Sequence, residues 1–257
     1  MSRIFIDVGG YEGDAVWAAL DPLFGFEQVI CYEPDAGCAA RIRDSIRDPR
    51  LTVVAAALSD HAGMAQLYGP GSLAGSLFSD HRDVDGTRTS SCEVHRASDL
   101  IARHGSEDAT IYLKLNCEGA EVPIVADLLQ SGEWTKIRDT LLDLDARKIP
   151  SLAAELAAVE AELAKQPVRN WSYPEEVQYG QQGTYGGIRN WLKVRGAIQP
   201  GLAARLRSLR FHLQQWRAGR FRGYYKFLIV KRLPASWMAF YYRAIRPRIV
   251  GSSTSGH

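Results

Sequence analysis

The opening third of the chain alternates short apolar runs with helix-forming stretches, and each run stops at a turn. RIFIDVGG (3–10) ends at paired glycines and leads into EGDAVWAALDPLF. EQVICYEPD (27–35) ends at an acid–proline turn and leads into AGCAARIRDSIR, and LTVVAAALSD (51–60) is a third run. Short apolar runs without polar alternation predict strands buried on both faces, and the helices between them predict parallel pairing with right-handed crossovers. Asp14 is placed to cap the first helix, and Pro22 limits its length. From residue 64 to 97 the pattern breaks into short runs separated by Gly, Ser and Asp, which predicts an inserted hairpin or loop. DATIYLKLN (108–116) and TLLDLDA (140–146) then resume as buried strands around the helix VPIVADLLQSG.

Further on, SLAAELAAVEAELAKQ (151–166) predicts a helix that packs on the sheet through Leu152, Leu156, Val159 and Leu163. YGQQGTYGG (179–187) reads as a glycine-rich loop. A helix from about residue 200 to 218 places Leu202, Leu206, Leu209, Leu213 and Trp216 at helical spacing, with Arg205, Arg207, Arg210 and Arg217 around them.

Charge divides the chain. Residues 1–176 carry all 29 Asp and Glu against 16 Lys and Arg, a net −13; residues 177–257 carry 15 Lys and Arg and no acid, a net +15. This asymmetry predicts an anionic partner or surface for the basic end, and sets the expected domains at 1–176 and 177–257. A composition of 46% hydrophobic and 23% charged residues excludes a disordered chain. The first strand follows the initiator methionine directly and no apolar run approaches the roughly 18–20 residues of a bilayer span, so a cytoplasmic location is expected. Cys31, Cys38, Cys92 and Cys117 show no CxxC spacing and read as reduced thiols. Cys117 has acidic neighbours that would not stabilise a thiolate, so packing outweighs nucleophilic chemistry there.

DVGGYEG (7–13) is a glycine-rich strand-to-helix turn, where backbone amides can approach a ligand closely. Its D-x-G-x-x-x-G spacing differs from the dinucleotide pattern G-x-G-x-x-G. Glu33, with Pro34 beside it, ends the second run about 20 residues later, where a carboxylate can accept from both hydroxyls of a ribose. Asp60 ends the third run and could accept from an exocyclic adenine amine.

FIDVGGYEGD, CYEPD, ALSDHAG and YLKLNCEGAE occur in the order and at about the spacing found in FkbM-type class I methyltransferases, and over residues 4–149 the chain resembles that family. KLNCEGAE (114–121) is similar to the family's K-I-D-x-E-G-A-E signature. The resemblance implies an α/β Rossmann-like fold: a mostly parallel seven-stranded sheet with helices on both faces, closed by YYKFLIV (224–230) as an antiparallel strand, plus a basic C-terminal extension. It implies S-adenosyl-L-methionine as cofactor, with Asp7, Gly9 and Gly13 along its methionine part, Glu33 at its ribose, Asn116 facing its reactive end, and Gly10 and Pro34 among the other cofactor-binding residues.

The sequence departs from the signature at Asn116, where the family has aspartate; an amide accepts a hydrogen bond but does not ionise. Glu118, Glu121, Asp143 and Asp145 leave a divalent cation open. Glu118 and His95 are candidate proton acceptors, and His61 and His81 also fall in or beside loops at the expected sheet edge. The expected reaction is O-methylation of a sugar hydroxyl on a glycan or glycolipid. The alternatives are O-methylation of a secondary metabolite, or a non-catalytic component of a glycan assembly complex, the latter motivated by Asn116. Trp237, Phe240, Tyr241, Tyr242 and Ile245 with Arg243, Arg246 and Arg248 suit the headgroup layer of an anionic membrane. Packing on the catalytic domain, or a homodimer in which the basic end covers a neighbour's acidic domain, are the rival readings. Nucleic acid is disfavoured because no recognisable binding module accompanies the arginines.

Overall fold

The computed structural model describes residues 2–177, 179–221 and 224–225. In chain order they form β1 (Ser2–Val8), α1 (Asp14–Ala19), β2 (Gln28–Tyr32), α2 (Ala36–Ser45), β3 (Leu51–Val54), β4 (Ala56–Ser59), β5 (Gly63–Tyr68), β6 (Thr89–Arg96), α3 (Ala97–His104) and β7 (Ala109–Leu115). They continue with α4 (Glu121–Ser131), β8 (Ile137–Leu142), α5 (Ala153–Ala164), β9 (Trp171–Ser172), α6 (Tyr179–Val194) and α7 (Leu202–Arg217). By packing, the chain parts into Met1–Phe211 and His212–His257, so residue 176 lies inside the first unit. In the second unit, His212 Nδ1 lies 2.9 Å from the Tyr225 hydroxyl.

The main sheet of the first unit has the order β3-β2-β1-β7-β8-β9 with every pairing parallel. This is the doubly wound Rossmann-like arrangement: three strands wind outward from β1, the chain crosses back, and three more wind out the other way. Six strands are present among the described residues, against the seven expected. Of the expected closing strand YYKFLIV, Tyr224 and Tyr225 are helical and residues 226–230 lie outside the described residues, as does the aromatic and basic stretch 237–248.

Side chains alternate along each strand, which divides the core between the two faces. Ile4, Ile6 and Val8 of β1 join Ile111, Leu113 and Leu115 of β7 on the face covered by α4 and α5, where Leu152, Leu156, Val159 and Leu163 are buried as the periodicity predicts. Phe5 and Tyr112 point the other way, into an aromatic cluster with Phe26 and Trp191.

Trp191 belongs to α6, whose first half falls in the expected glycine-rich loop. Gly186 and Gly187 each disfavour a helix by about 1 kcal/mol. Tyr185, Ile188, Trp191 and Leu192 are almost wholly buried, and each contributes about 1.5–3 kcal/mol on leaving water. Packing therefore outweighs propensity, and the glycine content shows only as a kink at Gly183.

The third apolar run also differs from expectation, because it divides at Ala55. β3 stays in the main sheet, while β4 pairs parallel with β6 in a second, three-stranded sheet of order β4-β6-β5. A continuous apolar run cannot distinguish one strand from two; the break comes from β6, which takes Ala56–Ser59 as its partner. β5 and β6 are antiparallel, so the expected insertion is a hairpin-like pair lying between the third and fourth strands of the main sheet.

Candidate functional site

The winding reverses between β1 and β7, and in open parallel sheets the crevice beyond the carboxyl ends at such a reversal is where ligands bind. A cleft of about 220 Å³ opens there. Gly9 and Gly10 follow β1, Glu33 and Pro34 follow β2, and Asn116, Cys117 and Glu118 follow β7; the 71–75 loop and Leu67 form the opposite wall.

Gly9 is required by the closeness of two strand ends. Its φ is 86° and an added Cβ would lie 1.9 Å from the Asn116 carbonyl oxygen. The turn continues with the Gly13 amide donating to the Gly10 carbonyl, and α1 starts from Gly13 with no side-chain cap. Asp14 therefore does not cap α1 as expected. It is the first residue inside the helix and faces the cleft, where burial, then Glu12 and Asp7, raise its carboxyl above the usual value.

Glu33 is 6% exposed. Its Oε2 accepts the Tyr11 amide at 2.7 Å and its Oε1 accepts the Asp35 amide at 2.9 Å. Each oxygen keeps a further acceptor site, so the carboxylate is held in place without being exhausted. Burial raises its pKa and the two amides pull it back. Asp35 caps α2 by accepting the Cys38 amide at 2.7 Å, which fixes the turn carrying Glu33 and Pro34.

Asp7 and Lys114 lie beneath the floor. They are register neighbours on β1 and β7, and Lys114 Nζ stands 3.0 Å from Asp7 Oδ1 while donating to the Gly9 carbonyl at 2.6 Å. Asp7, expected to line the ligand, is wholly buried and braces the glycine turn from below. Gly13 also stands back from the cleft, packed against Ile42 and Ile46.

The KLNCEGAE segment makes a tight corner between β7 and α4. Glu118 has a φ of 53° and Gly119 of 112°, and a Cβ on Gly119 would lie 2.1 Å from Ile149 Cδ1. Glu121 holds the corner: its carboxylate accepts the Cys117 amide at 2.5 Å and the Gly119 amide at 2.8 Å. Asn116 donates through Nδ2 to Asp143 Oδ2 at 2.9 Å. An aspartate there would set two carboxylates against each other, so the amide fits the Asp143 it faces. Burial and the Glu121 charge keep the Cys117 thiol protonated, well above its usual value.

Glu118 is the most perturbed carboxyl facing the cleft. Burial raises it to about 8, the Asp145 charge adds to this, and Lys148 opposes it. His81 Nε2 lies 3.0 Å from Glu118 Oε2, and burial followed by Lys148 lowers the imidazole below its usual value. Asp143 is raised to about 6 by burial and then by Asp145. The Ser76 hydroxyl donates to the Glu118 carbonyl at 2.6 Å, tying the 71–75 loop to this corner.

The structure thus brings Gly9, Gly10, Glu33, Pro34, Asn116 and Glu118 together, with Asp7 and Gly13 behind them. It does not bring His95 or Asp60 to the cleft. His95 contacts the Tyr32 hydroxyl at 3.3 Å and Glu93 at 2.9 Å and lines a separate depression with Arg96 and Arg103. The division of the third run carries β4 into the second sheet, and Asp60 after it accepts from Ser59 and contacts His61 at the surface. Tyr11, the 71–75 loop, Thr184 and the His81 pairing were not singled out from the sequence. Only Lys114 left a signal, as a lone cation inside the apolar run YLKL. Among the described residues, no group of His, Cys, Asp and Glu is arranged to hold a metal ion, and no helix is long and apolar enough to cross a membrane.

No protein-family model matches this sequence, and no curated protein does. Among solved structures, the crystal structure of a methyltransferase FkbM from Methylobacillus flagellatus KT is similar to this chain. The match covers 65% of this chain and 38% of that one, at 18% identity and a TM-score of 0.42. The chain therefore spans well under half the length of the structure it matches.

Proposed function

We propose that this chain is an S-adenosylmethionine-dependent O-methyltransferase acting on a sugar hydroxyl of a glycan or glycolipid. The observation that carries the reading is Glu33: a carboxylate at the end of β2 locked by two amides, one of them Tyr11 of the glycine turn beside it, in the cleft at the sheet's reversal point.

The residues present fit that cofactor. Glu12, Asp14, Glu33, Asp35 and Glu118 line the cleft, whereas its one lysine is paired below the floor, so a ligand bearing cationic centres and vicinal hydroxyls is favoured over an anionic one. When bound, the sulfonium supplies an activated methyl group.

What remains for the protein is to position the acceptor, exclude water and take up a proton. Glu118 and His81 are suited to the last. Glu118 lines the cleft and, raised to about 8, is a strong acceptor once ionised, while the imidazole of His81, lowered below its usual value, stands 3.0 Å behind it. The motif resemblance to FkbM-type enzymes supports the oxygen acceptor and the glycan class.

The test is transfer of label from methyl-labelled S-adenosylmethionine to a panel of glycan and glycolipid acceptors. The expected result is labelling of an acceptor, reduced roughly 10²–10⁴-fold in Glu118→Gln. Cofactor binding without transfer to any hydroxyl acceptor would instead support the non-catalytic reading motivated by Asn116.

A further inference from the structure

Helix α7 carries an apolar stripe on the side facing water. Leu202, Leu206, Leu209, Leu213 and Trp216 are 72%, 51%, 56%, 45% and 57% exposed. At 100° per residue they fall on one narrow strip of the helix, opposite the strip of Ala204, Ser208 and Phe211. Ala204 and Ser208 are buried, and the Phe211 ring meets Trp17 at 6.2 Å between centroids. The sequence periodicity correctly gave a one-sided helix, but the leucines are not its packed side. No other element presents such a run of large exposed apolar side chains among the described residues.

Charge identifies the occupant. Arg205 borders the stripe on one side, Arg210 and Arg217 on the other, and the sequence contains no acid after Glu176. A second copy of α7 set against the stripe would bring arginine to arginine. A nucleic acid would satisfy the arginines and leave the leucines in water. An anionic bilayer surface satisfies both, taking the leucines and Trp216 below the headgroups and the arginines among the phosphates. We propose that α7 lies in the plane of an anionic membrane and holds the protein there. The proposal assigns the contact to residues 202–217 and is independent of the enzymatic reading.

The experiment is co-sedimentation of the full chain with vesicles of equal parts phosphatidylcholine and phosphatidylglycerol, with pure phosphatidylcholine as control. The wild type is expected to sediment with the anionic vesicles only, and less as salt is raised. Leu206→Gln/Leu209→Gln/Leu213→Gln, which changes exposed side chains and no charge, should lower partitioning about tenfold or more with an unchanged circular-dichroism spectrum. Arg205→Gln/Arg210→Gln/Arg217→Gln should abolish the preference for anionic lipid while leaving the fold intact. Failure of the wild type to sediment, or equal sedimentation of the leucine variant, would overturn the proposal. So would a wild-type dimer that the leucine variant dissolves, because the stripe would then face a second copy.

Discussion

Asp7 and Lys114 sit side by side in the register of β1 and β7, both nearly inaccessible, with 3.0 Å between the lysine nitrogen and a carboxylate oxygen. Lys114 also donates to the carbonyls of Val8 and Gly9 at 3.2 and 2.6 Å. One buried cation thereby fixes both the acid under the cleft and the backbone that forms its floor.

Lys114→Met is accordingly expected to destabilise the protein by about 3 kcal/mol, because it leaves Asp7 buried without a counter-charge and removes the lysine donor to the Gly9 carbonyl. The double variant Asp7→Asn/Lys114→Met should lose less than the two single variants together. Burial already raises the Asp7 pKa, so the single variant's deficit should shrink as the pH is lowered and Asp7 takes up a proton. Urea denaturation at two pH values checks this; a deficit independent of pH would mean lost packing and not unpaired charge.

Glu121 is expected to matter for shape and not for chemistry. Glu121→Ala removes the acceptor for the Cys117 and Gly119 amides inside a corner already strained at Glu118 and Gly119. The loss should be about 2–4 kcal/mol, lowering the melting temperature by about 2–4 °C per kcal/mol. An unchanged melting temperature would remove Glu121 from that role.

The pH dependence of stability should report Glu118. Its folded value of about 8 lies above the ordinary glutamate value of 4.5, so the folded protein holds this proton more tightly than the unfolded chain. The associated stabilisation is complete below pH 4.5 and is lost as pH rises through about 8. Glu118→Gln has no proton to lose, so the melting temperature of the variant relative to wild type should climb from pH 5 to pH 8. A constant difference across that range would contradict the assigned environment.

The legible parts of this molecule are those that follow from local pattern. The strands around β1, β2 and β7 were readable because both faces are buried, and the first two runs end at glycine and at an acid–proline turn. Glu33 was readable because it closes one of them. The third run was misread because its length fits one long strand as well as two short ones, and only pairing with β6 separates them; Asp60 was carried out of the site by that division. His95 lay near the right sheet edge in sequence but on the second sheet in space. His81 reaches Glu118 from a loop some 37 residues away, a pairing that no local pattern records. The glycines of α6 hid a helix that tertiary burial enforces, and the leucines of α7 gave the periodicity of a packed face without revealing which side is packed.

The most direct measurement is isothermal titration of the full chain with S-adenosylhomocysteine, the demethylated product, alongside Glu33→Ala. A carboxylate that accepts both hydroxyls of a bound ribose makes charge-assisted bonds worth about 1.5–3 kcal/mol each. The wild type should therefore bind at micromolar to millimolar concentration, with Glu33→Ala at least about tenfold weaker and circular dichroism unchanged. Absence of binding to the wild type at millimolar product, or equal affinity in the Glu33 variant, would contradict the assignment of this cleft to an adenosyl cofactor.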